Sequence, residues 1–321
     1  MRVFVTGATG WIGSAVVSEL LTLGHQVTGL TTSHKGAQKL RKLGAKACIG
    51  KLADLAMLRE EAGKSEGVIH TAFIHSLSHM SLGTRLRLFA GALNGGIGQS
   101  FMQILAETET QAVAALGNGL KGSGNPLVVI SGIVNLPQGR VATEQDKHGA
   151  APNRSFSEKA AFDFISLGVR ASAVRLPPTV HAAGDQGFID QFIQAARKKR
   201  VSPYIGDGNN RWAAVHRLDA AKLLCLALEK GGAGATYHGV AETGIPFREI
   251  ASLIARDLNL PTASVDAKKA AKHFGMLSIF VGLDNPASSE WTRQALGWEP
   301  VREGLLSDMD ANYFRGRALA R

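Results

Sequence analysis

Cysteine is nearly absent. Only Cys48 and Cys225 occur among 321 residues, too few for a disulfide framework or a four-cysteine zinc site. Both stand in apolar, element-like stretches, the setting of buried free thiols in a reducing compartment. Proline is sparse at 10 and tyrosine sparser at three, while the 37 glycines follow no collagen-like period. No apolar run approaches the roughly 18 residues of a membrane span, and no internal repeat of about 20–50 residues is present. Acidic residues are outnumbered, 26 Asp and Glu against 36 Lys and Arg, for a net charge of +10. That excess favours anionic partners without choosing between a phosphate-bearing cofactor, nucleic acid and an anionic membrane. The basic run Arg197-Lys198-Lys199-Arg200 reads as a helix end. Without aromatic interleaving or a reading motif, nucleic acid is not an expected partner. The opening Met1-Arg2-Val3-Phe4-Val5-Thr6-Gly7 has one charge and then a strand pattern, unlike a secretory leader. The expectation is a cytoplasmic protein, monomer or homodimer, with no membrane partner.

What is present is a core-forming composition, 45% hydrophobic and 19% charged. Short apolar runs alternate with helical spacing through the first half. Strands are predicted at Arg2–Thr6, His25–Thr31, Lys46–Ile49, Gly67–Phe73, Pro126–Ser131 and Ser172–Leu176. Helices are predicted at Ile12–Leu23, Gln38–Leu43, Asp54–Ala62 (with Asp54 as N-cap), Phe101–Leu120 and Pro152–Leu167. Strand–helix alternation implies parallel pairing through right-handed crossovers. The unbroken apolar run Leu127-Val128-Val129-Ile130 suits a sheet covered on both faces. The expected fold class is α/β, a Rossmann-type doubly wound parallel sheet over residues 1–180. A smaller C-terminal α+β substrate lobe follows over 181–321, with a chain return near 211–240. In that lobe helices are predicted at Phe188–Lys199, Leu218–Glu229, Phe247–Leu258 and Ser288–Leu296. Strands are predicted near Ser202–Ile205, Trp212–Val215 and Thr236–Val240.

The segment Thr6-Gly7-Ala8-Thr9-Gly10-Trp11-Ile12-Gly13 follows the first strand and opens the first helix. Gly7 permits the tight turn, Gly10 lets backbone approach a pyrophosphate, and Gly13 permits close helix–strand packing. The helix start offers N–H groups and partial positive charge to that pyrophosphate. A carboxylate at the end of the second strand, about 20 residues on, ordinarily selects NAD through the ribose 2′-OH. Here the stretch is Thr31-Thr32-Ser33-His34-Lys35, with no acid, and Lys39 one turn further. Thr32, Ser33 and Lys35 suit a 2′-phosphate instead. NADP(H) is therefore favoured over NAD(H).

The glycine loop resembles the TGxxGxxG loop of the extended and atypical short-chain dehydrogenase/reductases, the NAD-dependent epimerase/dehydratase group. The resemblance continues along most of the chain. Val68-Ile69-His70-Thr71-Ala72-Phe73 is similar to the "VxHxAa" segment beside the cofactor. Val129-Ile130-Ser131-Gly132 is similar to the strand end bearing the catalytic Ser or Thr. Val174-Arg175-Leu176-Pro177-Pro178-Thr179-Val180 resembles the "lRpxxvyG" segment beside nicotinamide. Gly206-Asp207-Gly208 through Val215-His216-Arg217-Leu218-Asp219-Ala220-Ala221 resembles "GxGxxxxxxvhvdDvA", and Leu296-Gly297-Trp298-Glu299-Pro300 resembles "LGwxP". The resemblance implies Lys51 and Leu52 near adenine, Thr71, Ala72 and Phe73 beside the ribose, and Pro177, Pro178, Thr179 and Val180 beside nicotinamide.

The chain departs from the family at its YxxxK pair. None of Tyr204, Tyr237 and Tyr313 lies in the 152–167 helix. Two registers are open over Asn153-Arg154-Ser155-Phe156-Ser157-Glu158-Lys159-Ala160-Ala161. One puts Arg154 and Glu158 in the Tyr and Lys places, and Ser157 and Ala160 then also match. The other puts Ser155 and Lys159 there. In the first, residues at i and i+4 share a helix face. Arg154 would polarise a carbonyl or bind a carboxylate without giving up its proton, and Glu158 would act as acid/base. Serine is a poor acid/base without a partner, so the second register retains mainly the ribose-holding role of Lys159. In either, Ser131 would hydrogen-bond the substrate.

His181, Trp212 and His216 are the candidates for substrate contact. His70, His75 and His79 lack a metal-ligand spacing, so no metal is expected. Residues 77–99, with Met80, Leu82, Leu86, Leu88, Phe89 and Ile97 interrupted by Arg85 and Arg87, read as a lid over the substrate, with a dimer contact or a longer connection as alternatives. The expected activity is hydride transfer between a nicotinamide cofactor and a small or medium carbonyl or alcohol. A dinucleotide-binding sensor without turnover and a cofactor-recycling epimerase or isomerase stand as alternatives. The fold analogy carries the reaction class and does not name the substrate.

Overall fold

The structure is a computed structural model that describes residues 1–73, 97–134, 136–149 and 155–314. In chain order its first elements are β1 (Arg2–Thr6), α1 (Trp11–Thr22), β2 (Gln26–Thr31), α2 (His34–Leu43), β3 (Lys46–Ile49), α3 (Leu55–Gly63) and β4 (Gly67–His70). There follow α4 (Ile97–Leu120), β5 (Pro126–Gly132), α5 (Ser155–Phe162), β6 (Arg170–Leu176), β7 (Thr179–His181), α6 (Phe188–Lys199), β8 (Ser202–Ile205) and β9 (Arg211–His216). Next come α7 (Arg217–Lys230), β10 (Thr236–His238), β11 (Glu242–Pro246), α8 (Phe247–Leu258) and β12 (Thr262–Val265). The last are α9 (Ala270–Phe274), α10 (Ser278–Val281), α11 (Glu290–Leu296) and α12 (Leu305–Asn312). The chain divides into two compact units. The first comprises Met1–Ser131, Ala150–Val174 and Ala221–Thr236, and the second Gly132–Gly149, Arg175–Ala220 and Tyr237–Arg321.

The first unit is built on a seven-stranded sheet of order β10-β6-β5-β4-β1-β2-β3. Pairing across β3, β2, β1, β4 and β5 is parallel. The strand order reverses at β1 and β4, which pair Thr6 with His70 at their carboxyl ends. That reversal is where open α/β sheets leave a crevice for ligands. Residues Leu127 to Ile130 of β5 are all buried, as the continuous apolar run predicts. Phe4, Val68, Leu116 and Leu127 join α3, α4 and the strands in one hydrophobic core. Cys225 is buried on α7, and burial pushes its thiol well up; Cys48 is half-buried against Met57, Sγ to Sδ 3.5 Å.

Several boundaries differ from the sequence expectation for local reasons. α2 starts at His34, four residues earlier than the apolar spacing suggests. Ser33 caps it, its Oγ accepting from the Gly36 N–H at 3.1 Å. Asp54 stands at the N-cap position of α3, but its carboxylate accepts from the Lys51 N–H at 2.7 Å instead of from the helix. β4 ends at His70, and the next residue, Thr71, donates both its N–H and its hydroxyl to the Thr6 carbonyl. The helix predicted over 152–167 is α5 followed by a 3-10 turn at Ile165–Leu167, ended by Gly168 at φ +76°.

The second unit holds a three-stranded sheet of order β11-β9-β7 and a two-stranded pair β12-β8. Its main core gathers Phe192, Trp212, Phe247, Ile250, Phe274 and Leu305. β11 escapes sequence reading because Glu-Thr-Gly-Ile-Pro contains residues depleted in strands. Two stretches that stand far apart in the chain meet here. The Trp298 indole N–H donates to the Asp219 carbonyl at 3.0 Å, and the Asp219 carboxylate accepts from the N–H groups of Val301 and Arg302. No helix among the described residues is long and apolar enough to cross a membrane.

The α3–α4 contact is tight enough to predict a substitution. A methyl on Gly119 would meet the Arg59 carbonyl and lie 2.7 Å from Ala62 Cβ and 3.0 Å from Gly63 N. Alanine gains about 1 kcal/mol in helix propensity, but overpacking costs about 1–3 kcal/mol. Gly119→Ala is expected to lower the urea unfolding free energy by up to about 2 kcal/mol. An unchanged or raised midpoint would show that α3 yields freely.

Candidate functional site

Gly7, Ala8, Thr9 and Gly10 form the β1–α1 connection in the first unit, and Trp11, Ile12 and Gly13 open α1. Gly7 sits at φ +66°, a conformation that favours glycine. A Cβ on it would lie 2.7 Å from the Ala72 backbone and 2.9 Å from Thr71 Oγ1. A Cβ on Gly13 would meet the Gly7 carbonyl and stand 2.6 Å from Thr71 Oγ1. The turn is closed by the Gly10 N–H donating to the Gly7 carbonyl at 2.9 Å. Gly10 is the N-cap of α1, no side chain caps that helix, and no acidic residue stands in its first turn. The helix start thus carries neither a capping side chain nor a carboxylate of its own first turn. This composition fits a pyrophosphate.

The other predicted cofactor positions of this unit surround the same strand ends. Thr71, Ala72 and Phe73 continue from β4 and are half-buried. Thr32, Ser33 and Lys35 follow β2 and are exposed, as is Lys39 one turn on. The Ser33 hydroxyl oxygen is engaged as the cap of α2. Lys51 is exposed after β3, and Leu52 packs half-buried against the core.

Ser131 lies on β5, buried, and its Oγ has no hydrogen-bond partner among the described residues. On α5 the two registers separate by exposure. Glu158 is buried, whereas Lys159 is exposed and Ser155 half-buried. Arg154 lies outside the described residues, as do His75, His79 and the 77–96 part of the segment read as a lid. Residues 97–99 of that segment begin α4.

The sequence reading missed a buried polar chain that joins these parts. Thr6 Oγ1 is 2.8 Å from His70 Nδ1. His70 Nε2 is 3.0 Å from Glu109 Oε1 on α4. The Ser157 hydroxyl on α5 donates to the same Oε1 at 2.8 Å. Thr6, His70, Glu109 and Ser157 are all buried. The hydroxyl–imidazole–carboxylate connectivity matches that of a hydrolytic triad. Thr6 Oγ1, however, is 0% exposed within β1 and accepts the Ala72 N–H at 3.4 Å, so it is no nucleophile. His70 serves this chain, and among the described residues no three His, Cys, Asp or Glu side chains form a metal-holding group.

The remaining candidates belong to the second unit. Pro177 is buried, Pro178 and Val180 are half-buried, and the Thr179 hydroxyl donates to the Ala213 carbonyl. Trp212 is a core residue, wholly buried and packed edge-on with Phe188, Phe192 and Phe247 at centroid distances of 5.6, 5.4 and 5.6 Å. His181 is also wholly buried; its Nδ1 pairs with Asp308 Oδ2 at 2.7 Å, and its ring stands edge-on to His216 at 5.4 Å. Burial pushes the Asp308 carboxyl up, but hydrogen bonds from His181 and Asn312 outweigh it and hold the group below the usual carboxylate range. His216 Nδ1 accepts from the Leu218 N–H at 3.2 Å. Burial, then the neighbouring His181, hold the His216 imidazole below its ordinary value of 6.5, against the opposing pull of Glu303, Asp308 and Asp219.

That shift has a sign. A folded-state value below 6.5 means that the unfolded chain binds the proton more readily. The stability from neutral His216 is complete above pH 6.5 and is lost as pH falls below it towards the folded-state value. His216→Asn should therefore show a smaller fall in Tm than the wild type between pH 7 and about 5.5. Parallel Tm curves would place the acid sensitivity elsewhere.

Comparison with known proteins places this geometry among relatives. Residues 3–95 match the model of the NAD dependent epimerase/dehydratase family. An uncharacterized protein of Schizosaccharomyces pombe is 43% identical over 316 residues, 98% of this chain and 100% of its own length. The 4-hydroxy-2-methyl-3-oxo-4-farnesyl-3,4-dihydroquinoline-1-oxide ketoreductase of Stigmatella aurantiaca is 27% identical over 290 residues, 86% of this chain and 80% of that one. Among solved structures, DesIV, the dTDP-glucose 4,6-dehydratase of Streptomyces venezuelae with NAD and TYD bound, superposes with a TM-score of 0.72 at 19% identity. That match covers 97% of this chain and 95% of the other, a likeness of fold. The glycine turn against Thr71, the reversal of strand order at β1 and β4, and the family match over that same stretch lead to one conclusion: this chain belongs to the NAD dependent epimerase/dehydratase family.

Proposed function

We propose that the protein is an NAD(P)-dependent oxidoreductase of atypical short-chain dehydrogenase type, acting on a small or medium carbonyl or alcohol. The observation that carries this reading is the mouth of α1, which no side chain caps and where Gly7 and Gly13 pack against Thr71. A dinucleotide pyrophosphate is the anion that such a mouth suits. The NAD in the DesIV structure and the ketoreductase name of the Stigmatella aurantiaca relative support the same cofactor and carbonyl chemistry.

The cofactor supplies the hydride; the protein's own groups bind and orient. Gly7 to Gly13 hold the pyrophosphate. Exposed Lys35, with Thr32 and Ser33, meets a 2′-phosphate, and no carboxylate stands at the end of β2 to demand a free 2′-OH, so NADP(H) is preferred over NAD(H). Thr71 to Phe73 lie beside the ribose, and Pro177 to Val180 beside nicotinamide. The Ser131 hydroxyl donates to the substrate oxygen. A buried hydroxyl without a partner costs about 1–3 kcal/mol, and a substrate oxygen would supply what Ser131 lacks among the described residues. Burial of Glu158 and exposure of Lys159 favour the register in which Glu158, with Arg154, stands in for the acid/base pair. The absence of tyrosine from the 152–167 segment favours one second reading, a dinucleotide sensor without turnover.

Titration with NADPH and NADH, followed by nicotinamide fluorescence, tests the cofactor. Lys35→Ala should weaken NADPH binding about fivefold, the loss of one exposed ion pair of about 1 kcal/mol, and leave NADH unchanged. Absence of binding by either dinucleotide would end the oxidoreductase reading. Turnover across a panel of carbonyls and alcohols separates enzyme from sensor. In the enzyme, Ser131→Ala should lower kcat about 100-fold with little change in cofactor affinity. An unchanged kcat would remove Ser131 from the chemistry.

A further inference from the structure

We infer that Glu109 is a positioning residue, one carboxylate oxygen that anchors both the dinucleotide loop and helix α5. The inference rests on the dinucleotide reading above only for what the loop binds. The anchor itself is built wholly within the first unit. Oε1 of Glu109 lies 3.0 Å from His70 Nε2 and 2.8 Å from the Ser157 hydroxyl. A carboxylate oxygen accepts, so His70 donates from Nε2 and Ser157 donates from Oγ. In the neutral imidazole Nδ1 is then bare, and it accepts the Thr6 hydroxyl at 2.8 Å. Thr6 Oγ1 in turn accepts the Ala72 N–H. Every hydrogen bond from Ala72 to Ser157 thus has one consistent direction, ending on Glu109.

Each end of this chain touches a part with a proposed role. Thr6 is the last residue of β1, directly before Gly7, and its carbonyl holds Thr71, whose hydroxyl fills the volume against Gly7 and Gly13. Ser157 is the residue before Glu158 on α5. A helix of eight residues has too few internal bonds to hold itself in water. Its position depends on packing and on bonds such as that of Ser157. Four buried polar groups exact a desolvation cost unless every member is paired. Removing the shared acceptor takes the partner from the His70 Nε2–H and from the Ser157 hydroxyl at once.

The test uses the full chain. Amide hydrogen exchange and NADH and NADPH affinity are measured for the wild type, Glu109→Ala and Glu109→Gln, at a temperature well below each Tm. In the wild type NADH is expected to slow exchange over 155–162. Glu109→Ala should weaken NADH binding at least fivefold and abolish that slowing. Glu109→Gln, whose amide oxygen keeps an acceptor for both donors, should restore affinity to within twofold and restore the slowing. A merely structural glutamate would lower Tm and leave affinity and slowing intact; that result overturns the proposal. If Glu109→Ala fails to fold, Ser157→Ala severs only the helix end. Unchanged NADH affinity with loss of the slowing supports the anchor, and retained slowing overturns it. If the wild type binds neither dinucleotide, the dinucleotide reading fails and the anchor is judged without ligand. Faster exchange over both 7–13 and 155–162 in Glu109→Ala, with β5 unaffected, then supports it, and faster exchange at one end alone overturns it.

Discussion

The Gly7 carbonyl and the Thr71 hydroxyl occupy the space in which a side chain on Gly13 would stand. That exclusion brings α1 down onto the carboxyl ends of β1 and β4, where the strand order reverses. The first turn of α1 thus opens at the carboxyl ends of these central strands, with no capping side chain. Thr71 is the residue directly after β4. Its N–H and hydroxyl both donate to the Thr6 carbonyl, which ties the segment after β4 to the end of β1. The uncapped backbone at this place is thus a by-product of close packing.

Much of this was legible because it is local. A glycine spacing between a strand and a helix carries its mechanism in eight consecutive residues, and β5 announces its burial in four. The parts that escaped are those whose meaning comes from distance along the chain. Glu109 sits in Glu107-Thr108-Glu109-Thr110, a run that reads as a solvated helix face, yet it is buried against residues 39 and 48 positions away. His70 looks like a possible ligand among three histidines until Thr6 and Glu109 are seen on either side of it. The α2 start was missed for the opposite reason. Its opening turn is too polar for periodicity to detect, and only the Ser33 cap marks it.

In the second unit the sequence resemblances turn out to be joints. Asp219 and Trp298 belong to two family-like stretches that bond directly to each other, fastening the segment after α11 to the start of α7. Trp212 and His181, which residue type alone suggests for substrate contact, are packed and paired within the core. Residue type could not distinguish these uses, since an indole or imidazole suits a core or a cleft equally well. Burial and partners distinguish them.

The division of the first unit into three stretches has a consequence for biosynthesis. Its core includes Ala160 to Ala173, and its sheet takes β6 and β10 beyond β5. When the ribosome has released the first 131 residues, β5 is the outermost strand, with an open row of peptide groups. The chain must then emit Gly132–Gly149, which belongs to the other unit, before α5 and β6 arrive to cover that edge. The last piece, Ala221–Thr236, appears only after most of Arg175–Ala220 has also emerged. The nascent protein therefore passes through a long interval with a half-built sheet, during which a strand from another chain competes for β5. The order of emergence, set by how the two units share one chain, leaves the β5 edge open to mispairing until β6 has emerged.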